Sequence, residues 1–138
     1  MRKQVFAALV ATGLIGGAAQ AETYICSVKP DGHDYGWISK TIGVTIDDVT
    51  GQALVSDSNI LGVYKKPIRG EVVTNSPKRL SVKWEVSGGK DVRNRTYLRF
   101  LYKLTIFKAR GNRATVKANP AGYVWDLGGA GKCKLRSK

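Results

Sequence analysis

From residue 22 onward, apolar and polar residues alternate with a period of two, the signature of half-buried strands. The alternation is clearest at 79–87 (RLSVKWEVS). There Leu80, Val82, Trp84 and Val86 share one face, and Arg79, Ser81, Lys83 and Glu85 share the other. Shorter stretches of the same kind lie at 23–28, 39–47, 52–57, 60–65 and 69–75. The stretch 95–109 (RTYLRFLYKLTIFKA) reads as one long strand, with Leu98, Phe100, Tyr102, Leu104 and Ile106 on its apolar face. Residues 113–119 turn back from it, burying Ala114, Val116 and Ala118, and a last strand surrounds Lys132–Leu135.

Turn chemistry separates these stretches: Pro30-Asp31-Gly32, Asp48-Val49-Thr50-Gly51, Pro67, Ser76-Pro77-Lys78, and the loop GGKDVRN at 88–94. The glycine-rich run PAGYVWDLGGAG (120–131) reads as a further loop. About eight short strands, no helices and frequent turns predict an all-β fold: a small antiparallel β-barrel, with a β-sandwich as the alternative. In the hairpin joining 95–109 to 113–119 both apolar faces are even-numbered, so cross-strand partners must sum to an even number. A three-residue loop Arg110-Gly111-Asn112 satisfies this, pairing Ile106 with Val116, with Gly111 or Asn112 supplying the left-handed residue.

Residues 1–21 break the pattern. Arg2 and Lys3, an apolar stretch from Val5 to Ile15, and Ala19-Gln20-Ala21 have the three-part layout of a secretory signal peptide. Gly13, Gly16 and Gly17 interrupt an apolar run already below the roughly 18–20 residues that cross hydrocarbon. Residues 22–138 are therefore expected to form one exported, periplasmic or secreted domain without a transmembrane segment.

Without Arg2 and Lys3, 21 basic residues face ten acidic ones, a net charge of +11. The charge is polarised along the chain. Residues 22–61 carry two basic and six acidic side chains, whereas 62–138 carry 19 basic and four acidic.

The two cysteines, Cys26 and Cys133, sit near the two ends of this domain. Cys26 is preceded by Thr-Tyr-Ile rather than by a cleavage site, which argues against lipidation. Metal ligation would need more than two thiolates and the single histidine, His33. In an oxidising compartment the pair reads as a Cys26–Cys133 disulfide, which would bring first and last strands together as a barrel requires.

The stretches TYICSV (23–28), GWI (36–38) and GAGKC (129–133), with an alternating hairpin between them, resemble a loosely defined group of small exported bacterial β-rich proteins of unassigned function. The resemblance covers the domain's length. It implies export and a terminal cysteine pair, and no activity. The layout is more distantly similar to membrane-bound lysozyme inhibitors, small barrels with Tyr-x-Cys near one end and a cysteine near the other. This chain departs from them in lacking a lipid-anchor cysteine and a Ser-Gly-x-x-Tyr element. A net charge of +11 would also repel a basic lysozyme.

No nucleophile elbow or general-base pair is visible, and His33 beside Asp34 reads as a turn residue, so the chain is taken as a non-enzyme. Asp47 and Asp48 read as turn openers. The run beginning at Asp57 fails as a calcium loop, because Leu61 and Ile68 fall at ligand positions. No cofactor or metal is implied.

The strongest candidate is the outward face of 79–117, comprising Arg79, Lys83, Arg95, Arg99, Lys103, Arg113 and Lys117, with Tyr97 and Phe107 interleaved. Such a face suits an anionic polymer or an anionic envelope surface. The competing reading is a solvated face whose charge discourages edge-to-edge pairing. Two alternatives rest on other residues. Tyr35, Trp37, Tyr123 and Trp125 could line the aromatic mouth of a small-molecule carrier, and the loop 29–37 around His33 could serve an inhibitor-type module that binds a protein partner.

Overall fold

A computed structural model describes residues 21–90, 92–96, 99–122, 124 and 126–136. Eight strands follow one another: β1 (Ala21–Pro30), β2 (Thr41–Asp47), β3 (Ala53–Asp57), β4 (Ile68–Asn75), β5 (Arg79–Val86), β6 (Phe100–Phe107), β7 (Arg113–Pro120) and β8 (Leu127–Arg136). Each pairs antiparallel with its sequence neighbours, and β8 pairs back onto β1 to close the barrel. The sandwich alternative is excluded. Among the described residues no helix is long and apolar enough to cross a membrane. Of the candidate leader, residues 1–21, all but Ala21 lie outside the described residues, and Ala21 is the first residue of β1.

An eight-stranded barrel has an interior just wide enough to be filled by its own side chains. Here the filling is asymmetric. Bulky Trp84, Phe100 and Tyr102 enter from β5 and β6, with Trp84 stacked on Tyr102 at 5.4 Å and Phe100 5.4 Å from Tyr102. Small Ala114 and Ala118 on β7 leave room for them. Ile42, Val44, Ile46 and Val55 complete the interior from β2 and β3. Burial of this apolar surface, at roughly 25 cal/mol per Å², is the main stabilising term.

The disulfide joins Cys26 on β1 to Cys133 on β8, residues directly opposite one another with Cα atoms 3.8 Å apart. This seam needs glycine. The two inward positions of β8 next before Cys133 are Gly129 and Gly131, and a Cβ on Gly131 would run into the backbone carbonyl of Ser27. The glycine-rich run read as loop is thus strand from Leu127 onward, because missing side chains let β8 lie tight against β1.

Three other expectations are corrected. Residues 60–65 are not a strand: Ser58–Tyr64 form a helix, α1. Asp57 caps it, its Oδ1 accepting from the Ile60 amide at 2.8 Å, and Lys65 ends it in the left-handed region at φ 60°. Ile60, Val63 and Tyr64 at helical spacing turn one face to the core.

The hairpin after β6 keeps even parity but shifts by two. Ile106 pairs with Ala114, and the connection is the five residues 108–112. Its 3₁₀ turn, Lys108–Arg110, is followed by left-handed Gly111 and Asn112. The longer loop wins because its backbone finds partners on both sides. The Ala109 amide donates to the Lys78 carbonyl at 3.3 Å, and the Asn112 carbonyl accepts from the Cys133 amide at 2.9 Å.

Finally, β6 begins at Phe100 rather than 95, and Lys90 and Thr96 form only an isolated bridge. Leu98 and Tyr97 lie outside the described residues.

The up-and-down order sends alternate connections to opposite ends of the barrel. The described residues of 31–40, 58–67, 87–99 and 121–126 gather at one end, and the shorter 48–52, 76–78 and 108–112 at the other.

Candidate anion-binding face

Because side chains alternate along a strand, the outward positions of β5 to β8 line up across the barrel in rungs. Register defines them residue by residue. Lys83 lies opposite Lys103, and Lys103 opposite Lys117, so three lysines stand side by side on adjacent strands. Neighbouring strands are about 4.8 Å apart, so these stems rise from a closely spaced row. Like charges directly opposite one another destabilise a sheet. Lys83, Lys103 and Lys117 are all exposed. Among the described residues the only ion pair within 4 Å is Arg99–Glu85, so none of the three is neutralised by direct contact.

A second cationic rung runs through Arg79, Phe107, Arg113 and Lys132. Phe107 is half-buried at its centre, and the guanidinium of Arg110 lies over its ring at 5.6 Å from the centroid. Midway between the cationic rungs lie Ser81, Thr105 and Thr115, with the Ser81 and Thr105 hydroxyls 3.3 Å apart. Two positions on a strand advance about 6.6–6.8 Å, so the cationic rungs stand roughly 13 Å apart over a floor of small hydroxyl residues.

The structure therefore brings together Arg79, Lys83, Lys103, Arg113 and Lys117, and separates the other two candidates from them. Arg99 lies just before β6, where its Nε donates to Glu85 Oε1 and its Nη2 to Glu85 Oε2, both at 3.1 Å. Its charge is offset in place. Arg95 lies in the connection before β6, its guanidinium 5.7 Å from the Tyr35 ring centroid, with Arg93 at 5.6 Å. It moved off the face because the strand starts five residues later than the alternation implied. Lys132 and Arg110 were not anticipated. Lys132 joins the face only through the β7–β8 register, which the glycine-rich sequence of 127–131 does not reveal.

The aromatic constellation is divided as well. Trp37 is buried rather than at an open mouth: its ring stacks on Phe100 at 4.6 Å. Its carbonyl accepts from the Tyr102 hydroxyl and from Asn59 Nδ2, each at 2.9 Å. Burial raises the Tyr102 phenol far above its ordinary range, so it stays a donor. Trp37 plugs the barrel. Tyr35 stands outside the plug at φ 54°, with His33 edge-on at 4.4 Å. Asp34 is engaged by the turn, its Oδ2 accepting from the Ile38 amide at 2.9 Å. Tyr123 and Trp125 lie outside the described residues.

Two carboxylates have structural duties. Asp47 Oδ1 accepts from the Val49 and Thr50 amides at 2.9 and 3.3 Å, as a turn opener should, and these bonds hold its carboxyl below the ordinary range. Asp57 is buried, and desolvation raises its carboxyl despite the Ile60 amide, leaving Oδ2 without a hydrogen-bond partner. Among the described residues no group of three or more His, Cys, Asp or Glu side chains is placed to hold a metal ion.

Comparison with protein-family models, characterised proteins and solved structures finds no match to this chain.

Proposed function

We propose that this chain is an exported, non-enzymatic binding protein that holds an anionic partner against the outward face of β5, β6 and β7. The observation that carries the reading is the rung Lys83–Lys103–Lys117. Three adjacent like charges cost stability, and a bound anion would offset that cost. The competing explanation, that lysines guard exposed strand edges, loses force here because every strand of the barrel is paired on both sides. Export is supported by the candidate leader and by a disulfide bond, which forms in oxidising compartments. The carrier alternative has less support, since Trp37 fills the barrel end that it was expected to open.

The test is retention of the oxidised protein on an immobilised polyanion as salt is raised. Each cation engaged by phosphate steepens the salt dependence by close to one unit of log–log slope. The triple change Lys83→Gln, Lys103→Gln and Lys117→Gln is expected to reduce that slope by about two to three. Retention that ignores both salt and the triple change would refute the reading.

A further inference from the structure

The lysine rung forms one wall of a groove of about 520 Å³ on the outer surface of β4 to β7. That volume is in the range of small-ligand sites. On its other sides one further cation, Arg69, stands among three carboxylates, which is unlike a site for a densely charged polymer. Glu71 stands opposite Lys83 at one end of the rung. Beyond the rung lie Glu85, which accepts from Arg99 and from the Ser87 hydroxyl, and Asp126, whose Oδ1 accepts from Asn119 Nδ2 at 2.8 Å. Leu101 lines the groove between these acids and is 39% exposed.

Resting on the reading that this face binds anions, we infer that the groove takes an acidic saccharide, a sugar ring carrying a single carboxylate or phosphate. Each side of the groove then has a use. The lysines meet the charge through charge-assisted hydrogen bonds. Asp126 Oδ2, which makes no hydrogen bond to a described residue, accepts from a ring hydroxyl, as carboxylate oxygens do. The Leu101 side chain covers the C–H face of the ring, removing apolar surface from water on both sides. A polymer with a phosphate at every backbone unit would press some of its charge against Glu71 or Asp126, and that repulsion is the discriminating element. A neutral sugar would leave three lysines without a partner.

The test compares two probes on the oxidised protein at fixed ionic strength: galacturonate as a single sugar, with one carboxylate and free ring hydroxyls, and inorganic polyphosphate, with charge on every unit and no sugar hydroxyls. The informative variant is Asp126→Ala. It removes a negative charge, so simple electrostatics predicts tighter binding of both probes. The inference predicts the opposite for galacturonate, a loss of about tenfold for a charge-assisted hydrogen bond, with polyphosphate binding unchanged or stronger. Leu101→Ser, also at an exposed position, should weaken only the saccharide. If Asp126→Ala strengthens both probes alike, the inference is overturned while anion binding stands, and a densely charged polymer such as a nucleic acid becomes the ligand class. If the wild-type protein retains neither probe, the anion-binding reading itself falls.

Discussion

Cys26 and Cys133 face each other across the β1–β8 ladder, and both side chains lie inside the barrel, Cys26 completely shielded from solvent. The covalent bond and the backbone ladder therefore close the same seam. It follows that Cys26→Ala with Cys133→Ala should still fold into a barrel, but with a less constrained unfolded chain. The cysteines are 107 residues apart, and for a loop of about 100 residues the chain-entropy estimate is roughly 4.7 kcal/mol, an upper guide. Urea denaturation of the oxidised and double-variant proteins measures the difference. Burial adds a kinetic expectation: dithiothreitol under native conditions should reduce the bond only as fast as the seam opens. Reduction within the mixing time, with the barrel intact, would show that the sulfurs are reachable.

Gly131 tests the same seam from the other strand. A methyl group there has no flexible neighbour to displace, only the Ser27 carbonyl and the adjacent Val28 Cα. Gly131→Ala should cost about 1–3 kcal/mol or more, as overpacking of a rigid site does. Gly128→Ala is the control, because its Cβ would press only on the exposed Asp31 side chain, at 3.0 Å, with the Val116 carbonyl at an ordinary 3.8 Å. Equal losses in urea midpoint for the two variants would contradict the tight β1–β8 approach.

Asp57 makes opposing contributions that pH can separate. Its cap to Ile60 supports α1, while burial disfavours its ionised form. Because the folded pKa is raised, the group's proton-linked stability is fully present below the unfolded value of about 3.9 and is lost as pH rises through the folded value. Asn caps a helix about as well as Asp. Asp57→Asn should therefore gain on the wild type as pH rises from 4 to neutrality, whereas Asp57→Ala should lose about 1 kcal/mol of capping. Thermal melts across that range decide it, and a pH-independent offset for Asp57→Asn would contradict the burial argument.

The barrel was legible because its strands are half-buried: Leu80, Val82 and Trp84 alternate with Arg79, Ser81 and Lys83 whatever lies next to them. Closure was legible from the positions of Cys26 and Cys133. What escaped depends on contacts rather than pattern. Strand β8 hides behind glycines whose role is steric, set by the Ser27 carbonyl on another strand. The hairpin after β6 satisfies the parity rule in either register, and the choice is made by the partners of Ala109 and Asn112. Helix α1 did carry a local signal, Asp57 followed by Ile60, Val63 and Tyr64, but about two turns of helix are easily read as alternation. For the face, Lys83, Lys103 and Lys117 followed from strand parity alone. Arg95 did not, because parity cannot say where a strand begins.

The lysine rung also makes a prediction about stability that is independent of any ligand. Lys103 is flanked by Lys83 on one side and Lys117 on the other, so it has two like-charged neighbours where each of the others has one. Lys103→Gln keeps an exposed polar side chain of similar reach and removes both repulsions. It should stabilise the free protein at low salt by about 0.2–1 kcal/mol, the range of cross-strand charge effects. The gain should shrink as salt approaches 1 M, where the screening length falls to roughly 3 Å. Lys117→Gln should gain less, because it relieves one neighbour instead of two. Arg99→Gln should gain nothing, since it breaks the pair with Glu85, and exposed pairs of this kind contribute about 0–1 kcal/mol. The same Lys103→Gln variant should bind a polyanion more weakly. Chemical denaturation at two salt concentrations, set beside polyanion retention, would show stability and binding moving in opposite directions. A Lys103→Gln protein that is less stable than wild type at low salt would mean the three lysines are not in conflict, and the physical basis for assigning them to an anionic ligand would be lost.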